Sequence, residues 1–267
     1  MLPLNGYLSF DGTTMDYIRF GRGKKALIIL PGLGDGLQTV RGTAIPMSLA
    51  YRIFSKDYTV YGFSRKNALP EGYTTRDMAD DLAKAMDLLN IPEADLLGVS
   101  MGGMIAQHFA VRYPEKLRKL ILAVTAPEPN PTITASIDEW VESAKRGDHT
   151  ALMDSNVRKI YSDAYYRKNK WMIPVMGKLT KPKSYDRFFI QAEACAKHDC
   201  SDNLPQITAP TLVIGGGQDQ IIGTGVAEAI AARIPGAVLK IYQQWGHGLY
   251  EEAEDFNSNV LAFLKGE

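Results

Sequence analysis

The stretch Leu96-Leu97-Gly98-Val99-Ser100-Met101-Gly102-Gly103 reads as a strand that stops at a serine and turns at once into a helix. The apolar run Ala94 to Val99 has the composition of a buried strand, and a helical pattern, Met104 through Tyr113, begins directly behind the turn. Glycine stands two places before Ser100 and again two places after it. A turn this tight forces the serine into a strained backbone, and side chains at the flanking positions would collide, so glycine is needed at both. The pattern is that of a nucleophile elbow. Strain lifts the serine oxygen clear of the sheet, and the free N–H groups at the helix start face whatever that oxygen attacks.

Upstream, Tyr7 to Phe10 and Met15 to Phe20 alternate apolar and polar around Asp11-Gly12, as a hairpin does. Ala26 to Leu30 is a short, wholly apolar strand of the kind buried on both faces. Pro31-Gly32-Leu33-Gly34-Asp35-Gly36 follows. A dinucleotide fingerprint would want glycine where Leu37 stands, which argues against a nicotinamide site. Ile45 to Phe54 reads as helix and Tyr58 to Phe63 as strand. Thr74 or Thr75 caps a helix to about Asn90, with Met78, Leu82, Ala85, Met86 and Leu89 on one face. Leu117 to Val124 is again an apolar strand. Strands alternating with helices predict an α/β fold with a mostly parallel, doubly wound sheet.

The alternation breaks at Ala126. Pro127, Pro129 and Pro131 stiffen an exit, and the segment to about Leu204 carries helical patterns rich in bulky side chains, among them Trp140, Tyr161, Trp171 and Phe188. The rhythm then resumes with a strand at Thr211 to Ile214, a helix at Thr224 to Arg233, a strand at Val238 to Tyr242 and a closing helix at Ala253 to Leu264. The expected organisation is a core made of 1–126 and 204–267, interrupted by a helical lid at 127–203.

A serine hydroxyl is a poor nucleophile at neutral pH and needs a base, itself oriented by an acid. The chain has four histidines. His108 falls inside the helix behind Ser100, His149 in a polar Gly-Asp-His-Thr turn, and His198 near the end of the lid. His247, in Trp245-Gly246-His247-Gly248, follows a strand, at the sheet edge where open α/β folds place their sites. Asp219, just past the strand at Thr211, is the best-placed acid, since the competing position after Leu117 to Val124 offers Thr125. Two donors are then needed for a tetrahedral oxyanion: the backbone N–H groups of Met101 and of Leu33.

The chain resembles the α/β-hydrolase superfamily, close in layout to its enol-lactonase, carboxylesterase and carrier-protein-ester esterase branches. The likeness covers nearly the whole length and is sharpest in Gly98 to Gly103, in Ala209-Pro210-Thr211 through Asp219, and in Gly246-His247-Gly248. The resemblance implies Ser100 as nucleophile, Asp219 as orienting acid and His247 as base, the chain order known for that fold. It implies no metal and no organic cofactor. The family commonly carries His-Gly before the oxyanion residue, whereas this chain has Pro31-Gly32. Serine at the elbow also argues against haloalkane dehalogenases, which use aspartate there.

Length and composition fit this reading. The 267 residues, 45% hydrophobic and 22% charged, are ordinary for a globular enzyme, and 30 basic against 30 acidic side chains argue against nucleic acid or an anionic membrane as the main partner. The N-terminus shows no signal-peptide pattern, and Cys195 and Cys200 read as free thiols of a reducing cytoplasm. Between Arg158 and Arg187 the lid is strongly basic, a solvated face or a rim that attracts coenzyme A esters or an acidic carrier protein. The expected activity is hydrolysis of a small, partly apolar ester, lactone or thioester through an acyl-serine. Acyl transfer, perhydrolysis, carbon–carbon bond hydrolysis and ligand sensing by a receptor of this fold use the same groups.

Overall fold

The computed structural model describes residues 2–266. Its eight strands form one sheet in the order β1-β2-β4-β3-β5-β6-β7-β8. They are β1 (Leu4–Phe10), β2 (Thr13–Gly21), β3 (Lys25–Leu30), β4 (Tyr58–Lys66), β5 (Ala94–Val99), β6 (Leu117–Ala123), β7 (Thr211–Gly216) and β8 (Val238–Tyr242). The β1–β2 hairpin turns at Asp11-Gly12 and pairs antiparallel with β4, and every other pairing is parallel. The central strands are apolar because helices cover both faces. Successive residues of β5 show it: Leu96 packs in one core layer and Leu97 in the other, and all six residues are buried.

Helices α2 (Thr75–Leu88), α3 (Met101–Arg112) and α9 (Val226–Arg233) lie on the first face, with Met78, Leu82, Ile105, Phe109 and Ile230 buried there. Thr74 caps α2 in a reciprocal capping box with Asp77. The opposite face is covered by α1 (Ala44–Ala50) and α11 (Phe256–Lys265), through Ala44, Phe256, Val260 and Leu264. Three expected helices are shorter than their apolar patterns. The stretch at Ile45 to Phe54 breaks at Tyr51 into α1 and a 3-10 turn, and α9 starts only after Gly225, which sits at φ +80°. The closing helix, expected from Ala253, starts at Phe256 as α11, behind a separate short helix α10 (Leu249–Glu252).

Five helices stand between β6 and β7: α4 (Pro131–Lys145), α5 (His149–Ile160), α6 (Asp163–Asn169), α7 (Ile173–Leu179) and α8 (Asp186–Ala196). His149 is the buried first residue of α5 rather than part of a turn, because Asp148 caps the helix through Ala151 N–H. The sheet topology sets the position of the site. From β3 the chain runs outward to β4 and then returns to β5 on the other side of β3, so the strand order reverses there. Leu30 is in register with Gly98, which brings the loop after β3 beside the turn after β5.

Candidate active site

Ser100 sits at φ +54° and ψ −120° between β5 and α3, a conformation rare for any residue but glycine. A Cβ on Gly98 would lie 2.5 Å from the Gly102 oxygen, and one on Gly102 would lie 2.1 Å from the Leu30 oxygen. Both glycines are therefore sterically compelled. Gly103 is compelled as well, since a Cβ there would meet the Thr125 side chain at 2.5 Å. The elbow is tied to the neighbouring strand: Ser100 N–H donates to the Ala123 oxygen at 2.9 Å, and the Thr125 hydroxyl donates to the Ser100 oxygen at 2.7 Å.

The loop after β3 approaches from the other side. A methyl group on Gly32 would lie 3.3 Å from Ser100 Cβ and 3.8 Å from its Oγ. Leu33 opens a 3-10 turn and Met101 opens α3, so both N–H groups are first-turn donors without an intrahelical acceptor.

Asp219 and His247 meet through the β7 and β8 loops. A Cβ on Gly216 would lie 2.6 Å from the carbonyl oxygens of both Trp245 and Gly246, which shows how closely those loops touch. Gln218 N–H bonds the Trp245 oxygen at 3.1 Å. Asp219 Oδ2 lies 2.8 Å from His247 Nδ1, while Oδ1 accepts the N–H groups of Ile221 and Ile222 at 2.8 and 2.9 Å. Both side chains are almost wholly buried. A carboxylate held by two backbone donors keeps its remaining oxygen on the imidazole, so Nε2 is left for other work.

Ser100 and His247 line one cavity of about 440 Å³. Leu33, Tyr51, Tyr250, Trp140 and Ile160 contribute to its walls, the last two from the inserted helices α4 and α5. The other large lid side chains go elsewhere: Phe188 is core and Trp171 is exposed. Among the described residues, no cation between Arg158 and Arg187 lines the cavity. Arg158 and Lys159 pair with Asp154 and Glu139 on the insertion, and Arg187 turns inward to Asp35.

Sequence reasoning missed several supporting groups. The Ile160 carbonyl, at the end of α5, accepts Gly248 N–H at 2.6 Å and so pins the histidine loop to the insertion. Gly248 permits this, since a Cβ there would lie 2.9 Å from the same oxygen. Glu251 reaches the cavity and accepts the Tyr161 hydroxyl at 2.6 Å. Only the short spacing from His247 to Glu251 hinted at that. His108 and His198 instead pack on each other away from the cavity, ring centroids 5.0 Å apart.

The model of the α/β hydrolase fold family matches residues 25–254. The chain belongs to this family. Among curated members, a 3-oxoadipate enol-lactonase of Acinetobacter baylyi is 23% identical over 262 residues, covering 97% of this chain and 96% of its own. A 2-hydroxy-6-oxononadienedioate/2-hydroxy-6-oxononatrienedioate hydrolase of Burkholderia vietnamiensis is 28% identical, covering 96% and 93%. Among solved α/β hydrolase folds, the enol-lactonase of Burkholderia xenovorans superposes with a TM-score of 0.83 at 23% identity, over 97% of this chain and all of that one. The chain is thus similar in sequence to hydrolases of small molecules and shares the fold of an enol-lactonase.

Proposed function

We propose that this α/β hydrolase is a serine hydrolase that cleaves a small carboxylic ester, lactone or thioester through an acyl-serine. The observation that carries the reading is one cavity lined by both Ser100, on its strained turn, and His247, whose Nδ1 is held by a buried aspartate. Ser100 attacks the carbonyl carbon while His247 Nε2 takes its proton. Asp219 keeps the ring in the required tautomer and stabilises the imidazolium that forms. The N–H groups of Leu33 and Met101 receive the oxyanion, each contributing about 3 kcal/mol to the transition state. His247 returns the proton to the leaving group, and water, activated by the same imidazole, releases the acid.

Residues 127–203 act as the lid, with Trp140 and Ile160 giving the acyl or leaving group an apolar wall. The two buried free thiols support a reducing, cytoplasmic setting. The exposed lysines of the lid lie outside the cavity, so a coenzyme A ester or an acidic carrier protein would engage them only through its distal part.

The test pairs ester turnover with a serine-directed fluorophosphonate. The wild type hydrolyses short p-nitrophenyl esters and is labelled on the peptide containing Ser100, and Ser100→Ala loses both label and about 10⁴- to 10⁶-fold in kcat. Wild-type turnover by Ser100→Ala would overturn the assignment. Including an enol-lactone and a vinylogous β-diketone in the panel separates ester from carbon–carbon chemistry.

A further inference from the structure

The charge of the cavity is carried by Glu251, one turn beyond the catalytic-loop histidine. Its carboxylate is held in place by the Tyr161 hydroxyl at 2.6 Å, and Tyr161 in turn stacks on Tyr165 at a centroid distance of 4.1 Å. No arginine or lysine lines the cavity among the described residues. The other carboxylate of the lining, Asp35, is turned into the protein, 2.8 Å from Arg187. Asp219, outside the lining, is bound to His247 and two backbone donors. Glu251 is exposed at the rim and has no cation within ion-pairing distance among the described residues. Its field reaches the walls. Burial first, with the Glu251 charge adding to it, pushes the phenols of Tyr51 and Tyr250 up, and both rings line the cavity.

Resting on the serine-hydrolase reading, we propose that Glu251 is a specificity-determining residue that selects against negatively charged substrates, so that the substrate class is uncharged or cationic esters and lactones. A carboxylate on the substrate would enter a partly desolvated space with a like charge at its mouth and no cation to receive it, which physical chemistry disfavours. An uncharged group meets Trp140, Tyr51, Ile160 and Tyr250, which reward apolar surface. A quaternary ammonium would gain both from the aromatic faces and from the carboxylate. The enol-lactonase and dienedioate hydrolase named among the relatives are described by dicarboxylate compounds, and the cavity of this chain points away from that chemistry.

The test uses three p-nitrophenyl esters of matched chain length whose acyl ends carry a methyl group, a carboxylate or a trimethylammonium, together with the same three ends placed on the alcohol side of an acetate ester. In the wild type, kcat/KM for the anion falls roughly tenfold below the neutral ester, the size expected for two like charges about 12 Å apart near a protein surface. The cation equals or exceeds the neutral ester. Glu251→Gln keeps an acceptor for Tyr161 and narrows the anion-to-neutral gap by about fivefold, with 0.5 M salt narrowing the wild-type gap in the same direction. Equal kcat/KM for anion and neutral ester on both series, or a gap that Glu251→Gln leaves untouched, overturns the proposal. Calorimetric binding of the same esters to Ser100→Ala provides a readout that does not depend on turnover. The anion binding as tightly as the neutral ester there overturns the charge selection, whereas correct ranking in binding without wild-type hydrolysis overturns the serine-hydrolase reading alone.

Discussion

Val124 holds a β-branched side chain at φ +46°, fully buried, at the end of the strand beside the elbow. Such a conformation costs about 1–3 kcal/mol, and here it turns the next residue, Thr125, so that its hydroxyl reaches the Ser100 carbonyl. Two strained residues on neighbouring strands thus brace each other across the bond from Ser100 N–H to Ala123. Thr125 occupies the place where the sequence pattern allowed for an alternative acid, and its structural role is to steady the Ser100 turn instead. Thr125→Val keeps the shape and removes the bond. The Ser100 oxygen still accepts the N–H of Gly103 at 2.8 Å, so the fold survives with a loss of about 1 kcal/mol. The expected kinetic effect is roughly a tenfold lower kcat with little change in KM, because a relaxed Ser100 leaves its in-line geometry while the cavity is unaltered. The measurement is kcat per fluorophosphonate-titrated site, beside a melting curve. A kcat within twofold of wild type, at a lowered Tm, would make the bond purely structural.

Helix α8 has a role beyond covering the sheet. Arg187 in its first turn donates to the Asp35 carbonyl at 2.6 Å, to Asp35 Oδ2 at 2.8 Å, and to the carbonyls of Arg65 and Lys66 at 3.1 Å each. Arg65 completes the frame by donating to the Pro31 oxygen at 2.7 Å. The loop that carries Leu33 N–H is therefore clamped to the sheet by a guanidinium from the insertion, and a Cβ on Gly36 would lie 2.8 Å from the Phe188 Cα. Arg187→Met leaves the carboxylate of Asp35, whose side chain has no exposure, short of its nearest charge, at a cost of about 3 kcal/mol. Arg187→Lys supplies charge without the four-way fork and recovers stability better than rate. The decisive readout is affinity for a trifluoromethyl ketone, which forms the tetrahedral adduct. It should weaken at least tenfold in Arg187→Lys while KM moves less than threefold, and parallel losses in both would reduce the clamp to simple packing. Nothing local marks this device, because Asp35 and Arg187 are 152 positions apart. The elbow was legible since its steric demands fall within six consecutive residues, and Asp219 and His247 since each closes a recognisable strand. The later start of the last helix, at Phe256, was not, because Ala253 belongs to the same apolar pattern as the residues behind it.

Across the whole molecule, the strand order and the alternation of apolar runs with helices were readable because burial on two faces leaves a continuous apolar signature in each parallel strand. What the pattern hid was where the polar side chains of the insertion and of α2 and α3 would come to rest, since that depends on packing between elements far apart in the chain. His198 is the clearest instance. It follows α8, is 2% exposed, places Nδ1 2.9 Å from the Thr75 hydroxyl and leaves Nε2 buried without a partner. Around it stand His108 from α3, itself lowered by burial and by Arg76 and Arg112, and Asp199 at the chain neighbour. Burial, reinforced by His108, pulls the His198 pKa down to about 3. The folded state thus refuses a proton that the unfolded chain accepts near pH 6.5, so this contribution is intact above that pH and is lost progressively as the pH falls toward 3. Between pH 7 and pH 5 it amounts to on the order of 2 kcal/mol, or about 5 °C in Tm for a chain of this size. His198→Gln retains a partner for Thr75 and cannot take up the proton. The variant starts less stable at pH 7, and its deficit in urea-derived unfolding free energy shrinks by on the order of 2 kcal/mol at pH 5. A deficit that stays constant from pH 7 to pH 5 would show that the acid sensitivity of the fold lies elsewhere.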